Sequence, residues 1–116
     1  MTVQYNLDGL RRGNTYERLF RFKDGEGNPV DLTGSEIVFV AETATSTIRK
    51  TTADNSLLMP TPAMGEVTLK LPPAETRLFA VGRLRSRYEI ERRIGGDEFT
   101  ILSGNLIVLQ GVNDDA

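Results

Sequence analysis

The side chains whose spacing could point to chemistry in this chain are carboxylates and guanidinium groups. It has no histidine and no cysteine. That removes the commonest general base, the commonest metal ligand and any thiolate nucleophile. Of the 16 carboxylates, Glu17, Glu89, Glu91, Asp97 and Glu98 could in principle include a catalytic pair. Glu89 and Glu91 alternate with Arg87 and Arg93, so the spacing favours solvated, salt-bridged groups. A catalytic pair needs burial to raise one pKa, and this pattern offers none. The expectation is therefore no catalytic residue, no metal ligand and no cofactor-binding residue.

Asp24-Gly25-Glu26-Gly27-Asn28 resembles the start of a calcium loop, with oxygen side chains at alternate positions. The match breaks at Pro29, where the sharp-turn glycine belongs, and at Ser35, where the bidentate glutamate belongs. A hairpin turn is the plainer reading. No Gly-Lys-Ser/Thr follows these glycines, so they are not a phosphate loop.

Two sets of residues point to contact rather than catalysis. Arg83, Arg85, Arg87 and Arg93 share one parity and predict a basic stripe, either a solvated sheet face or a docking face for an acidic surface, with Arg83, Arg85 and Arg87 the candidate contact residues. No aromatic residue interleaves with them, so no base-stacking platform for nucleic acid is expected. Val38 and Val40 are apolar on the face opposite Ile37 and Phe39. They predict either cover by the 8–14 or 43–59 segments or a subunit contact. Arg92 falls on the inward parity, opposite Phe99. Its stem either packs under that ring with the head reaching water, or it marks an interface.

These side chains must be positioned by strands. Leu84, Ser86, Tyr88, Ile90, Arg92 and Ile94 share the inward parity of a long strand, and Gly95-Gly96 turns it into a second strand through Val108. A two-residue turn would place Ile90 opposite Ile101 and Arg93 opposite Glu98, with a bulge at Ser103-Gly104. Further strands are expected over 3–7, 15–23, 36–42, 47–51, 57–59 and 66–71, with 8–14 a loop. Pro72 to Ala80 reads as a short crossover helix presenting Ala74, Leu78 and Val81.

The chain of 116 residues is 39% hydrophobic and 26% charged, with a net charge of −2. It is long enough for one domain over 1–116, with 1–12 an N-terminal strand and loop and 110–116 a flexible acidic tail. The charge speaks against a phosphate-held nucleic-acid binder. No apolar run reaches membrane-spanning length, and Met1–Leu10 lacks a signal-peptide layout, so no membrane insertion is expected. The strand count and turn spacing predict an all-β, antiparallel sandwich with one short helix. A partly open barrel is the competing architecture.

The order of several motifs is similar to small phage and prophage tail or baseplate proteins, including the immunoglobulin-like N-terminal domain of baseplate upper proteins. The residues that carry it are Gly13-Asn14-Thr15-Tyr16, Phe20-Arg21-Phe22, and the run Asp24 to Gly34 that ends Asp31-Leu32-Thr33-Gly34. Gly65 to Leu71, Val81-Gly82, Tyr88-Glu89-Ile90 and Leu102 to Val108 continue it. The resemblance implies an immunoglobulin-like fold and a non-enzymatic virion structural part, made in the bacterial cytoplasm. Its partners would be other tail or baseplate proteins, and it could form a homo-oligomer. Baseplate upper proteins continue into helical or fibre segments, whereas this chain ends at Ala116, so a stand-alone adaptor is expected. The alternatives are a carbohydrate- or host-receptor-binding module and, behind it, a small hydrolytic enzyme.

Overall fold

The computed structural model describes residues 3–111. Two sheets pack face to face. The larger is built from β1 (Val3–Gln4), β2 (Leu7–Arg11), β4 (Glu36–Glu42), β5 (Thr47–Thr51), β8 (Gly82–Ile94) and β9 (Asp97–Leu109). Its order is β1-β9-β8-β4-β5, with β2 also beside β9. The smaller contains β3 (Tyr16–Arg21), β6 (Leu57–Leu58) and β7 (Glu66–Leu71), in the order β3-β7-β6. This is the immunoglobulin-like arrangement, a G-F-C-C′ sheet over a B-E-D sheet.

Alternation explains the layers. Along β7, Val67, Leu69 and Leu71 are buried, and along β4 so are Ile37, Phe39 and Ala41. They meet Tyr16, Phe20, Leu57, Tyr88, Ile90, Leu102 and Leu106 in one core. Phe39 and Tyr88 stack across neighbouring strands with ring centroids 5.9 Å apart. Burying a side chain such as Phe39 contributes about 2–3 kcal/mol.

The expected loop over 8–14 is instead mostly strand. β1 and β2 both pair with β9 in parallel, while the strand pairings elsewhere are antiparallel. The register shifts between Leu7 and Leu10, across Gly9 at φ +80°. The bulge lets two leucines three residues apart both point inward, which hides the period of two. Tyr16 Oη donates to the Asp8 carbonyl at 3.0 Å, and Tyr88 Oη donates to the Tyr5 carbonyl. Two core tyrosines thus hold the N-terminal segment by its backbone. Burial pushes both phenols up from their usual pKa.

The crossover helix is one turn, α1 (Pro73–Thr76). It is too short to have an apolar stripe. Leu78 and Val81 are exposed, and Thr76 and Phe79 are buried in place of the expected face. Thr76 Oγ1 accepts the Gly13 N–H at 3.2 Å and lies 2.9 Å from the Asn14 carbonyl, to which it can donate. Lys50 Nζ on β5 lies 2.8 Å and 2.9 Å from the two Glu75 oxygens, tying the turn to the larger sheet.

In the β8–β9 hairpin Arg93 pairs with Glu98 as expected, but Ile90 pairs with Leu102 rather than Ile101. The bulge lies at Ile101, earlier than the expected Ser103-Gly104. It still brings Leu106 and Val108 inside. Of the expected tail, Gln110 is exposed and Gly111 buried; residues 112–116 lie outside the described residues. No helix among the described residues is long and apolar enough to cross a membrane.

Candidate docking surface

The start of β8 departs from the expected alternation. Gly82 pairs with Val108 and Ser86 with Leu106, so four steps on β8 match two on β9. Gly82 sits at φ +145°, and a Cβ there would lie 2.9 Å from Arg85 Cγ and Cδ. The Arg85 stem therefore folds back over the glycine. The extra residues turn Leu84 outward, where it is 80% exposed, against the inward place its parity predicts. Arg83 and Arg85 flank it, both exposed, and neither has an ion-pair partner among the described residues.

Neighbouring elements extend this end of the sandwich. Arg11 lies opposite Leu109 on β9, next to the Val108–Gly82 pair. The Arg12 N–H donates to the Leu109 carbonyl at 3.0 Å, and its Nη2 donates to the Arg77 carbonyl at 2.9 Å. Leu78, Val81 and Leu109 are exposed here as well. The result is a basic end with an apolar knob at Leu84.

Arg87 does not belong to that end. Alternation resumes after the bulge, and Arg87 lines a shallow cleft of about 230 Å³ with Val40, Glu42, Tyr88 and Glu89. The single stripe expected from Arg83, Arg85 and Arg87 is thus split by the bulge into two places. The structure instead joins Arg87 to Val40, residues that the sequence places in separate candidate surfaces.

Val38 is fully buried although it lies on the outer face. Thr51 of β5 and Glu91 of β8 stand beside it, and Glu36 and Val40 flank it on its own strand. Thr51 Oγ1 donates to Glu36 Oε2 at 2.6 Å, and Arg93 Nη2 lies 2.9 Å from Glu91 Oε2. This polar frame covers Val38 within the domain, so Val40 alone of the two valines reaches the surface.

The other singled-out residues have local roles. Arg92 pairs with Phe99 across the hairpin, and its guanidinium binds the loop before β4. Its Nε donates to Ser35 Oγ at 2.9 Å and its Nη2 to the Asp31 carbonyl at 3.1 Å. Asp24 Oδ1 accepts the N–H groups of Glu26 (2.9 Å) and Asn28 (3.0 Å), while Lys23 bridges to Pro29. The acidic loop is thus a self-capped hairpin turn. Hydrogen bonds from Thr33 and Ser56 hold the Asp31 and Asp54 carboxyls below their usual pKa. Among the described residues no three metal-ligating side chains form a cluster.

Leu84 is the exposed residue that parity misassigned. Its one sequence signal is Gly82 just before an arginine-rich stretch, since glycine in a strand marks a bulge.

No protein-family model matches the chain, and no curated protein matches it. Among solved structures, a candidate glycoside hydrolase from Bacteroides vulgatus is similar at a TM-score of 0.41 and 14% identity, over 93% of this chain. The chain spans 17% of the length of that structure, and a likeness at this level assigns it no activity.

Proposed function

We propose that this chain is a non-enzymatic docking module, a tail or baseplate structural part of a phage or prophage virion. Its contacts with neighbouring virion proteins run through the basic end around Leu84. The observation that carries the docking reading is Leu84, 80% exposed between Arg83 and Arg85. An apolar knob flanked by guanidinium groups that have no ion-pair partner among the described residues fits a partner surface with an apolar pocket and an acidic rim. The virion assignment rests on the motif resemblance from Gly13 to Val108.

The test is incorporation into particles. Leu84→Asp combined with Arg83→Glu and Arg85→Glu leaves the core untouched, so the variant is expected to fold. It is also expected to be absent from particles purified from cells that carry the parental phage genome with this substitution. Normal incorporation of the folded variant would refute the basic end as the docking site. Absence of the unaltered chain from purified particles would refute the virion reading itself. Light scattering across a concentration series then separates a self-assembling ring part from an adaptor that needs its partner.

The second reading, a carbohydrate- or host-receptor-binding module, is supported by the exposed rings of Tyr5 (49%) and Phe99 (51%). Exposed aromatic faces are what sugars stack on. Glycan-array binding that Tyr5→Ala or Phe99→Ala abolishes would favour it.

A further inference from the structure

The two sheets do not close along their whole length. At one end β3 is tied to the N-terminal segment, through Tyr16 to the Asp8 carbonyl and through Arg18. Arg18 Nη2 donates to Tyr5 Oη at 2.8 Å, Arg18 Nη1 lies 3.4 Å from Asp8 Oδ1, and its guanidinium carbon is 5.6 Å from the Tyr5 ring centroid. Beyond Arg18 the two edges separate and leave a cleft of about 370 Å³. Val3, Tyr5, Leu19, Phe20, Phe22 and Ile101 line it, with Arg21 and Lys23 at its rim.

One wall of this cleft is an unpaired strand edge. β3 is the terminal strand of its sheet, and no described strand pairs with its other side. The Phe22 N–H donates to the Gly65 carbonyl at 2.8 Å. Hydrogen-bonded pairs alternate in an antiparallel ladder, so Phe20 and Arg18 also bond toward β7. The N–H and C=O groups of Leu19 and Arg21 therefore point the other way, toward the open edge. Of the other terminal strands, β1 and β6 are only two residues long, and β5 has five but does not line this cleft. β3 has six residues and contains no proline. It lacks the shortness and proline that blunt natural sheet edges.

What would fill this space follows from the two faces of an added strand. Side chains on its inner face would meet Phe20, Phe22, Val3 and Ile101 and must be apolar. Those on its outer face would stand beside Leu19, Arg21 and Lys23. Arg21 already pairs with Glu66 through Nε at 3.1 Å but keeps further donors, and Lys23 has no ionic partner among the described residues. Acidic outer side chains complement them. We propose that the open edge of β3 accepts an extended segment of a partner protein in which apolar and acidic residues alternate. It would pair through the outward backbone groups of Leu19 and Arg21. This strand-capture site is separate from the basic end around Leu84, and either can fail without the other.

The test uses the whole chain and synthetic peptides about eight residues long, the reach of an ordinary strand. Three capped peptides alternate glutamate with valine, isoleucine or phenylalanine. Controls carry the same residues in two blocks, or backbone N-methyl groups on every second residue. Binding is read by amide NMR shifts and by hydrogen exchange at Leu19 and Arg21. At least one alternating peptide is expected to slow exchange at both amides. The N-methylated form is expected to bind at least about tenfold more weakly, since each lost pair of hydrogen bonds is worth about that much. Arg21→Glu with Lys23→Glu should weaken the glutamate peptides by a similar factor and favour their lysine counterparts, a reversal that a folding defect cannot produce. Unchanged exchange at Leu19 and Arg21 with all three peptides at about 1 mM would overturn the proposal. So would binding that ignores N-methylation, or shifts confined to the Leu84 end.

Discussion

Gly104→Ala is the substitution whose consequence the structure defines most sharply. A Cβ at this position would lie 2.2 Å from the Tyr5 carbonyl oxygen, 2.7 Å from its carbon and 3.1 Å from Asn6 Oδ1. The nearest obstacles are backbone, so no rotamer change relieves them. Residues 5 and 6 must move outward by about 1 Å to restore ordinary contact. That displacement strains a set of bonds made only by this segment. The Tyr5 N–H donates to the Ser103 carbonyl at 2.8 Å, Tyr88 Oη donates to the Tyr5 carbonyl, and the Asn105 N–H donates to Asn6 Oδ1 at 3.0 Å. At about 1 kcal/mol net for each bond, losing them costs about 3 kcal/mol. That is a large share of the 5–15 kcal/mol that holds an ordinary domain. The control is Gly95→Ala in the hairpin turn, where φ is +59° and nothing lies within 4 Å of a Cβ. There only the left-handed backbone is penalised, at about 1 kcal/mol. Urea unfolding of both variants gives the difference, and hydrogen exchange locates it. Tyr5 and Asn105 amides are expected to lose protection in Gly104→Ala and not in Gly95→Ala. If Gly104→Ala costs no more than Gly95→Ala, the close approach of residues 5 and 6 to β9 is refuted.

Ser86 Oγ is buried without a hydrogen-bond partner among the described residues, so Ser86→Ala is expected to raise the urea midpoint, by about 1 kcal/mol of stability. Val38→Ala should cost about 2 kcal/mol, as in a core, because Val38 is covered despite lying on the outer face. Val40→Ala, at a half-buried site, should cost under about 1 kcal/mol by the same urea assay. Tyr16 and Tyr88 have raised folded pKa values, so the unfolded chain gives up these protons first and stability should fall as pH rises above about 10. Tyr88→Phe should flatten that alkaline decline in thermal melts taken across pH. Asp31 and Asp54 have depressed folded pKa values, so their contribution is present at neutral pH and lost as pH falls below about 4; Asp54→Asn should reduce that acid sensitivity.

The residues determine by themselves the elements whose signal is local. The strands over 36–42, 47–51 and 66–71 have the expected bounds. The strand over 66–71 runs through one uninterrupted alternation, with Val67, Leu69 and Leu71 inward, while 36–42 is legible as a run of apolar residues on both faces. The hairpin tip is equally legible, because Gly95-Gly96 fixes the Arg93–Glu98 pair without reference to the rest of the chain. The absence of histidine and cysteine narrows the available chemistry before any fold is known.

Tertiary structure alone decided what lies beyond an interruption. Bulges after Leu7 and at Ile101 each reset which parity faces the core, and the two extra residues after Gly82 turn Leu84 outward without changing the parity beyond it. An alternating pattern carries no mark of an inserted residue. That is why the leucines at 7 and 10 read as loop and why Leu84 emerged on the surface. The parallel pairing of β1 and β2 with β9 joins positions about a hundred residues apart, and its hydrogen bonds are made by backbone groups that every residue carries. Val38 lies inside because Thr51, Glu36 and Glu91 arrive from three strands to surround it. The open edge of β3 exists because two sheets separate there. Separation is a property of how the layers pack, and no single stretch of sequence contains it.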